Sequence, residues 1–180
     1  MSDWYFAYGA NMATRVLRRR GVTAIESHAA RLPGHRLVFE EPGIPWLEPA
    51  FASLRADDDE VTHGVLHRLT DEDLAALDRI EGIGYDRVAH VVEVPGRGEI
   101  AASFYASRRS TTGRRPSRRY IRILVEGARE HDLPARWIER LEAEPTFHVP
   151  VWSDAAPVVM RVVEPLIAAR HPLRQWARRP

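Results

Sequence analysis

Trp4-Tyr5-Phe6-Ala7-Tyr8-Gly9-Ala10-Asn11-Met12 is the stretch whose reading decides the fold. Residues 4–8 are few and aromatic-rich, the composition of a strand, and Gly9 ends the run. Asn11 can then cap a helix reaching about residue 20, where Gly21 stops it. Such a turn has two readings. A glycine there lets the backbone approach a ligand closely, and the helix start offers N–H groups to an anion or oxyanion. An ordinary tight strand-to-helix connection would use the same residues.

Working outward, residues 29–32 and 36–40 flank Pro33-Gly34, which reads as a turn between two strands. Residues 41–49 hold three prolines and a glycine, so they read as a loop. Residues 51–55 and 61–69 form another strand pair, joined across the acidic residues 56–60 as a solvated turn. Thr70 precedes Asp71, Glu72 and Asp73, an N-cap followed by acids where the helix dipole favours them. That helix runs to about residue 81, where Gly82 and Gly84 stop it. Residues 85–94 are β-branched-rich, Pro95-Gly96 is a turn, and residues 99–106 return. After the basic loop 107–116, residues 117–131 have helical spacing in Tyr120, Ile121, Leu124, Val125 and Ala128. Pro134 starts another helix ending near residue 142, and a further short helix is expected over residues 158–169. Strands joined by short turns, followed by helices, predict an α+β fold. Its sheet is mixed, mostly antiparallel, and curled into a small barrel with flanking helices. The expected organisation is one domain over residues 1–145, with residues 146–180 as a C-terminal extension packed on it.

The chain has 180 residues, 44% of them hydrophobic, enough for one domain with a sizeable core. Its 26 basic side chains nearly balance 25 acidic ones; a net charge of +1 argues against a nucleic-acid partner chosen by bulk electrostatics. Cysteine is absent, which removes disulfides, thiolate metal sites and cysteine nucleophiles together and suits a reducing cytoplasm. The start Met1-Ser2-Asp3-Trp4 lacks the features of a signal peptide, and no apolar run approaches about 18 residues. The expectation is a cytoplasmic monomer or homodimer with no membrane and no nucleic-acid partner.

Glu81 is the odd residue of its helix. Positions 74, 77 and 81 share one face, and Leu74 and Leu77 make that face apolar. Glu81 also stands at the helix C-terminus, where the dipole disfavours a negative charge. Either the last turn frays and the carboxylate sits in water, or it is partly desolvated. A carboxylate drawn out of water holds a proton more tightly, which suits general-base work near neutral pH.

Other features carry less. His63 and His67 share a face in either a strand or a helix, but a zinc site needs a further ligand that no spacing supplies. They read as ordinary strand histidines. Arg108, Arg109, Arg114, Arg115, Arg118 and Arg119 form a basic run without regular aromatic interleaving, the pattern of a solvated loop rather than of a nucleic-acid site. There is no G-x-S-x-G, P-loop or Rossmann glycine pattern.

Taken together, four segments resemble the γ-glutamyl cyclotransferase family, which includes the AIG2-like and BtrG-like proteins. Tyr5-Phe6-Ala7-Tyr8-Gly9-Ala10-Asn11-Met12 is similar to its Y-F-A-Y-G-S-N-M signature, and Val61-Thr62-His63-Gly64-Val65-Leu66 to its V-x-G-V strand. Leu77-Asp78-Arg79-Ile80-Glu81-Gly82 with Tyr85 resembles L-D-x-x-E-G…Y. Ser117-Arg118-Arg119-Tyr120, then Gly127-Ala128 and Leu133-Pro134, resemble the later S-x-x-Y…G-A…L-P stretch. The order is kept over residues 4–141. Ala10 departs from the family's usual serine; it supplies the same backbone donor but no hydroxyl.

The resemblance implies a reaction in which a glutamyl α-amine attacks its own γ-carbonyl, releasing 5-oxoproline and a free amine. Glu81 matches the catalytic glutamate, taking the ammonium proton and returning it to the leaving nitrogen. Tyr5, Phe6, Ala7, Tyr8, Gly9, Ala10 and Asn11 match the substrate-binding strand and turn, with Tyr85 and Tyr120 as pocket tyrosines. Because the nucleophile belongs to the small γ-glutamyl substrate, the resemblance implies no cofactor and no metal. A non-catalytic, regulatory AIG2-like binding protein is the alternative that Ala10 leaves open.

Overall fold

The computed structural model describes residues 1–44, 47–82 and 84–147. Its elements, in chain order, are β1 Ser2–Ala7, α1 Thr14–Arg19, β2 Glu26–Ile44, β3 Glu48–Thr70, α2 Asp71–Glu81, β4 Tyr85–Val94, β5 Gly98–Ser107, α3 Arg118–Glu130 and α4 Ala135–Glu142. The helix expected over residues 158–169 lies outside the described residues. The strands close a barrel in the order β1-β3-β2-β4-β5. Every neighbour pair is antiparallel except the closing one, where β1 runs parallel to β5 at Tyr5 and Ser103. This is the expected α+β fold with a mostly antiparallel, curled sheet. No described helix is long and apolar enough to cross a membrane.

Three expected breaks are absent. Pro33-Gly34 is no turn between strands: β2 passes straight through it, with Gly34 at φ +70° and a register shift between Pro33 and His35. A proline without an N–H and a glycine at positive φ suit a bulge as well as a turn. On the partner strand, Pro33 pairs with Val61 but His35 with Ala56, so the acidic residues 57–60 are taken up at that same shift within one strand, β3. Residues 41–49 are not simply a loop. Glu41 pairs with Phe51, Pro42 with Ala50 and Ile44 with Glu48, which extends the hairpin almost to its tip.

The α2 helix forms as its sequence predicts. The Thr70 hydroxyl accepts from the Asp73 N–H at 3.1 Å, three acids fill the first turn, and Leu74 and Leu77 are buried. Ser117 caps α3 likewise, accepting from the Tyr120 N–H at 3.0 Å. One close approach sets α3 against the β1–α1 connection. A Cβ on Gly127 would stand 2.6 Å from the Ala13 nitrogen, so only glycine lets the helix lie this near. Phe6, Leu17, Leu66, Leu77 and Leu124 are buried in one shared core.

Candidate active site

The connection after β1 is where sequence and structure differ most usefully. Residues Ala10–Met12 make a short 3₁₀ turn, and α1 begins only at Thr14, behind Ala13 as its N-cap residue. Asn11 therefore caps nothing. Its side chain is buried instead, and its Nδ2 donates to the Tyr5 hydroxyl at 2.9 Å and to Glu81 Oε1 at 3.1 Å. Gly9 has φ −119°, open to any residue, so conformation does not require glycine here. Space is tight, however: a Cβ would lie 3.1 Å from the Tyr120 hydroxyl, which would have to give way by a few tenths of an ångström. Among the described residues, no acceptor takes the N–H groups of Gly9, Ala10 and Asn11.

Glu81 is the last residue of α2, and its side chain is only 17% exposed. Arg20, the residue after α1, donates through Nη1 to Glu81 Oε1 and to Asn11 Oδ1, the latter at 2.7 Å. A guanidinium beside the helix end answers the unfavourable dipole that made Glu81 conspicuous. Arg20 is the residue sequence reading missed. It sits in a run with Arg18 and Arg19, both exposed, and nothing local distinguishes it.

Tyrosines surround this carboxylate. Tyr5 and Tyr8 come from β1 and the turn, Tyr85 opens β4, and Tyr120 comes from α3. The Tyr85 hydroxyl donates to the Ala52 carbonyl at 2.8 Å, while the Ala52 N–H donates to the Tyr120 hydroxyl at 3.3 Å, so one residue of β3 fixes both rings. Tyr8 donates to the Tyr105 carbonyl, and Tyr105 donates to Asp78 at 2.8 Å. Burial pushes the phenols of Tyr5, Tyr8, Tyr85 and Tyr120 up, and the Glu81 charge adds to the rise in all of them. They stay neutral donors and acceptors at physiological pH. The structure thus brings Tyr5, Tyr8, Gly9, Asn11, Glu81, Tyr85 and Tyr120 together. Phe6 and Ala7 are fully buried in the core, with Phe6 turned toward Gly64 of β3, and Ala10 offers its N–H.

The remaining candidates have structural partners. His67 is fully buried; its Nε2–H donates to the Asn11 carbonyl at 3.1 Å and its Nδ1 accepts from Ser27 Oγ at 2.8 Å. Burial lowers its pKa to about 4, which keeps the ring neutral in this role. His63 stands against the Trp137 ring. Three arginines of the basic run are held by acids that sequence reading passed over: Arg109 pairs with Glu41, Arg119 with Glu48 at 2.9 Å, and Arg108 with Asp86. Glu41 and Glu48 are buried carboxylates from the stretch read as a loop, where proline content hid them. An open groove of about 1120 Å³ lies elsewhere, lined by Thr14, Arg15, Arg118, Ile121 and Glu126 among others, and holds none of the residues gathered around Glu81.

The sequence model of the family described as gamma-glutamyl cyclotransferase, AIG2-like, matches residues 5–122. Gamma-glutamyl cyclotransferase gliK of Aspergillus fumigatus is 28% identical over 174 residues, covering 82% of this chain and 64% of that protein. The chain therefore spans less than two thirds of that fungal relative's length. Gamma-glutamylcyclotransferase of Homo sapiens is 30% identical over 146 residues, 77% of each protein. The fold is similar to a solved gamma-glutamyl cyclotransferase structure, with a TM-score of 0.76, 23% identity, and coverage of 90% of this chain and 99% of that one. Matched from Tyr5 in β1 to Arg122 in α3, the chain belongs to the γ-glutamyl cyclotransferase, AIG2-like family.

Proposed function

We propose that this chain is a cofactor-free γ-glutamyl cyclotransferase in which Glu81 is the general base. The observation that carries the reading is a half-buried carboxylate, held on one oxygen, beside a turn whose N–H groups have no acceptor among the described residues. In the reaction the substrate's α-ammonium gives a proton to Glu81, and the freed amine attacks the γ-carbonyl. Among the described residues, the two side-chain donors to Glu81 fall on Oε1, so Oε2 is assigned to the proton. The new C–N bond closes the five-membered ring. The tetrahedral oxyanion is received by backbone N–H groups of the Tyr8-Gly9-Ala10-Asn11 turn, one such donor being worth about 3 kcal/mol of barrier. Glu81 then returns its proton to the leaving nitrogen as the old C–N bond breaks, releasing 5-oxoproline and a free amine. Ala10 supplies the same donor as a serine would, so its missing hydroxyl does not affect this step. Tyr85 and Tyr120, fixed on Ala52, wall the site.

We further infer that residues 1–145 carry the activity and that the protein works in the cytoplasm. The names that the related proteins carry support a γ-glutamyl substrate class for this chain. The test is incubation with γ-glutamyl-amino acids, γ-glutamyl-amines and glutathione while 5-oxoproline is assayed. Release from at least one of them is expected, and folded protein that releases none from any overturns the proposal. Glu81→Gln is expected to keep the fold and lower kcat by about 10²- to 10⁴-fold, the range of general acid–base catalysis.

A further inference from the structure

We propose that the open groove lined by α1, α3 and residues 142–146 is a second binding site, which takes the phosphate group of a small molecule on Arg18, Arg118 and Arg122. None of these residues belongs to the cluster around Glu81, so the groove is independent of the reaction assigned there. Five arginines and four glutamates line it. Each acid is already engaged. Arg15 holds Glu126 through both its oxygens, Arg129 holds Glu142, the Thr14 N–H donates to Glu130 at 3.1 Å, and the charge of Arg140 acts on Glu144. Three arginines are left over: among the described residues, no acid pairs with Arg18, Arg118 or Arg122, and all three are exposed.

The register of the two helices gathers these three. Thr14 of α1 meets Glu130 of α3 and Arg15 meets Glu126, so the helices pass each other in opposite directions. Three residues further along α1 stands Arg18, and four residues back along α3 stands Arg122. Two attractive rungs are thus followed by one of like charge, with Arg118 a turn beyond on the same face of α3. A glutamate in place of Arg18 would have continued the attraction. Arg118 is out of place for a second reason. It is the first residue of α3, where the helix dipole favours an acid, yet that turn holds none while the first turn of α2 holds three. Stability alone would not choose these residues. A multiply charged anion among the guanidiniums turns their repulsion into attraction. Phosphate suits them, because each planar fork meets two oxygens and one phosphate has oxygens for more than one fork. At about 1120 Å³ the groove has room for more than the anion, so the phosphate is the anchor of a larger molecule. No aromatic ring is among the residues lining it, which removes the stacking platform of a nucleic-acid strand.

The probe is pyrophosphate, with acetate as the singly charged comparison. Binding to the full chain is measured by calorimetry at low salt, with circular dichroism as the check on folding. Wild type is expected to bind one pyrophosphate per chain and to prefer it to acetate. Arg122→Gln is expected to weaken pyrophosphate about tenfold, the lower end for a hydrogen bond to a charged group. Arg136→Gln removes an exposed arginine of α4 that does not line the groove, and should leave binding within about twofold. Equal weakening by the two variants would reduce the effect to diffuse attraction and overturn the site, as would a wild type that binds no pyrophosphate. A polynucleotide that binds where pyrophosphate does not, with affinity falling steeply in salt, overturns it in favour of nucleic acid. A second readout needs no ligand. Arg118→Glu puts an acid at the start of α3, one turn before Arg122, so the ligand-free variant is expected to melt roughly 1–4 °C higher than wild type while pyrophosphate binding is lost. A lower melting temperature would mean that Arg118 serves the fold, and would count against the site.

Discussion

The amide of Asn11 is committed on every side. Nδ2 reaches Tyr5 and Glu81, Oδ1 accepts from Arg20, and its backbone carbonyl accepts from His67. It is thus the joint between the proposed base, its counter-ion and the buried tyrosine. Asn11→Ala removes a donor from a buried phenol and from a carboxylate at once. Stability is expected to fall by about 1–3 kcal/mol, read by urea unfolding. The catalytic loss should appear mainly in kcat, because Glu81 then loses one of its two side-chain donors among the described residues. A variant with unchanged kcat would show that Asn11 serves only the fold. The asparagine stood out in the sequence for a different role, as a helix cap, because asparagine after a glycine at a strand end is a common cap signal. The chain starts α1 later, and the freed side chain turns inward. Glu81 was legible because a carboxylate continuing an apolar stripe is locally inconsistent. Arg20 and His67 were not, since an arginine among arginines and a histidine in a strand carry no such inconsistency.

At the scale of elements, α2, α3 and the β4–β5 hairpin could be read directly: an N-cap with an acidic first turn, helical spacing and a Pro-Gly turn between β-branched runs act locally. The long β2–β3 ladder could not. Pro33-Gly34 and the acidic residues 57–60 bear the composition of turns, yet both fall where the two strands shift register as they bend around the barrel. Proline, glycine and clustered acids mark any place where a ladder is interrupted, and only the partner strand decides whether the chain reverses or continues. The α3 helix offers an element-scale test. Gly127 lets it rest on the Met12–Ala13 backbone, and that seat places the Tyr120 hydroxyl against Gly9. Gly127→Ala puts a Cβ 2.6 Å from a backbone nitrogen, so helix and turn must separate. Thermal unfolding is expected to show a loss of about 1–3 kcal/mol, the cost of overpacking. Activity should fall further than that loss explains, because Tyr120 moves with its helix. Full activity in a destabilised variant would separate the seat from the site.

For the whole molecule, the barrel places a buried histidine, His67, where a strand supports the turn after β1, and this couples that turn to pH. His67 on β3 holds the Asn11 carbonyl and takes a bond from Ser27 of β2. His131, with its ring 5.6 Å away, and Glu130 are the other titratable groups that act on it, one opposing and one favouring protonation. Burial lowers the pKa of His67 from 6.5 to about 4. Between those values the unfolded chain binds a proton that the folded chain refuses, so stability rises with pH across the window. The contribution is complete above about pH 6.5 and lost as pH falls through 4, amounting to roughly 3 kcal/mol for a shift of this size. Carboxylates add their own acid sensitivity, so the test is a difference: urea unfolding of wild type and His67→Gln at pH 7, 5.5 and 4. Glutamine keeps an N–H for the Asn11 carbonyl but takes up no proton. The variant is expected to lose less stability between pH 7 and 4, with the gap opening below pH 6.5; parallel profiles would show that the barrel does not hold His67 neutral against acid.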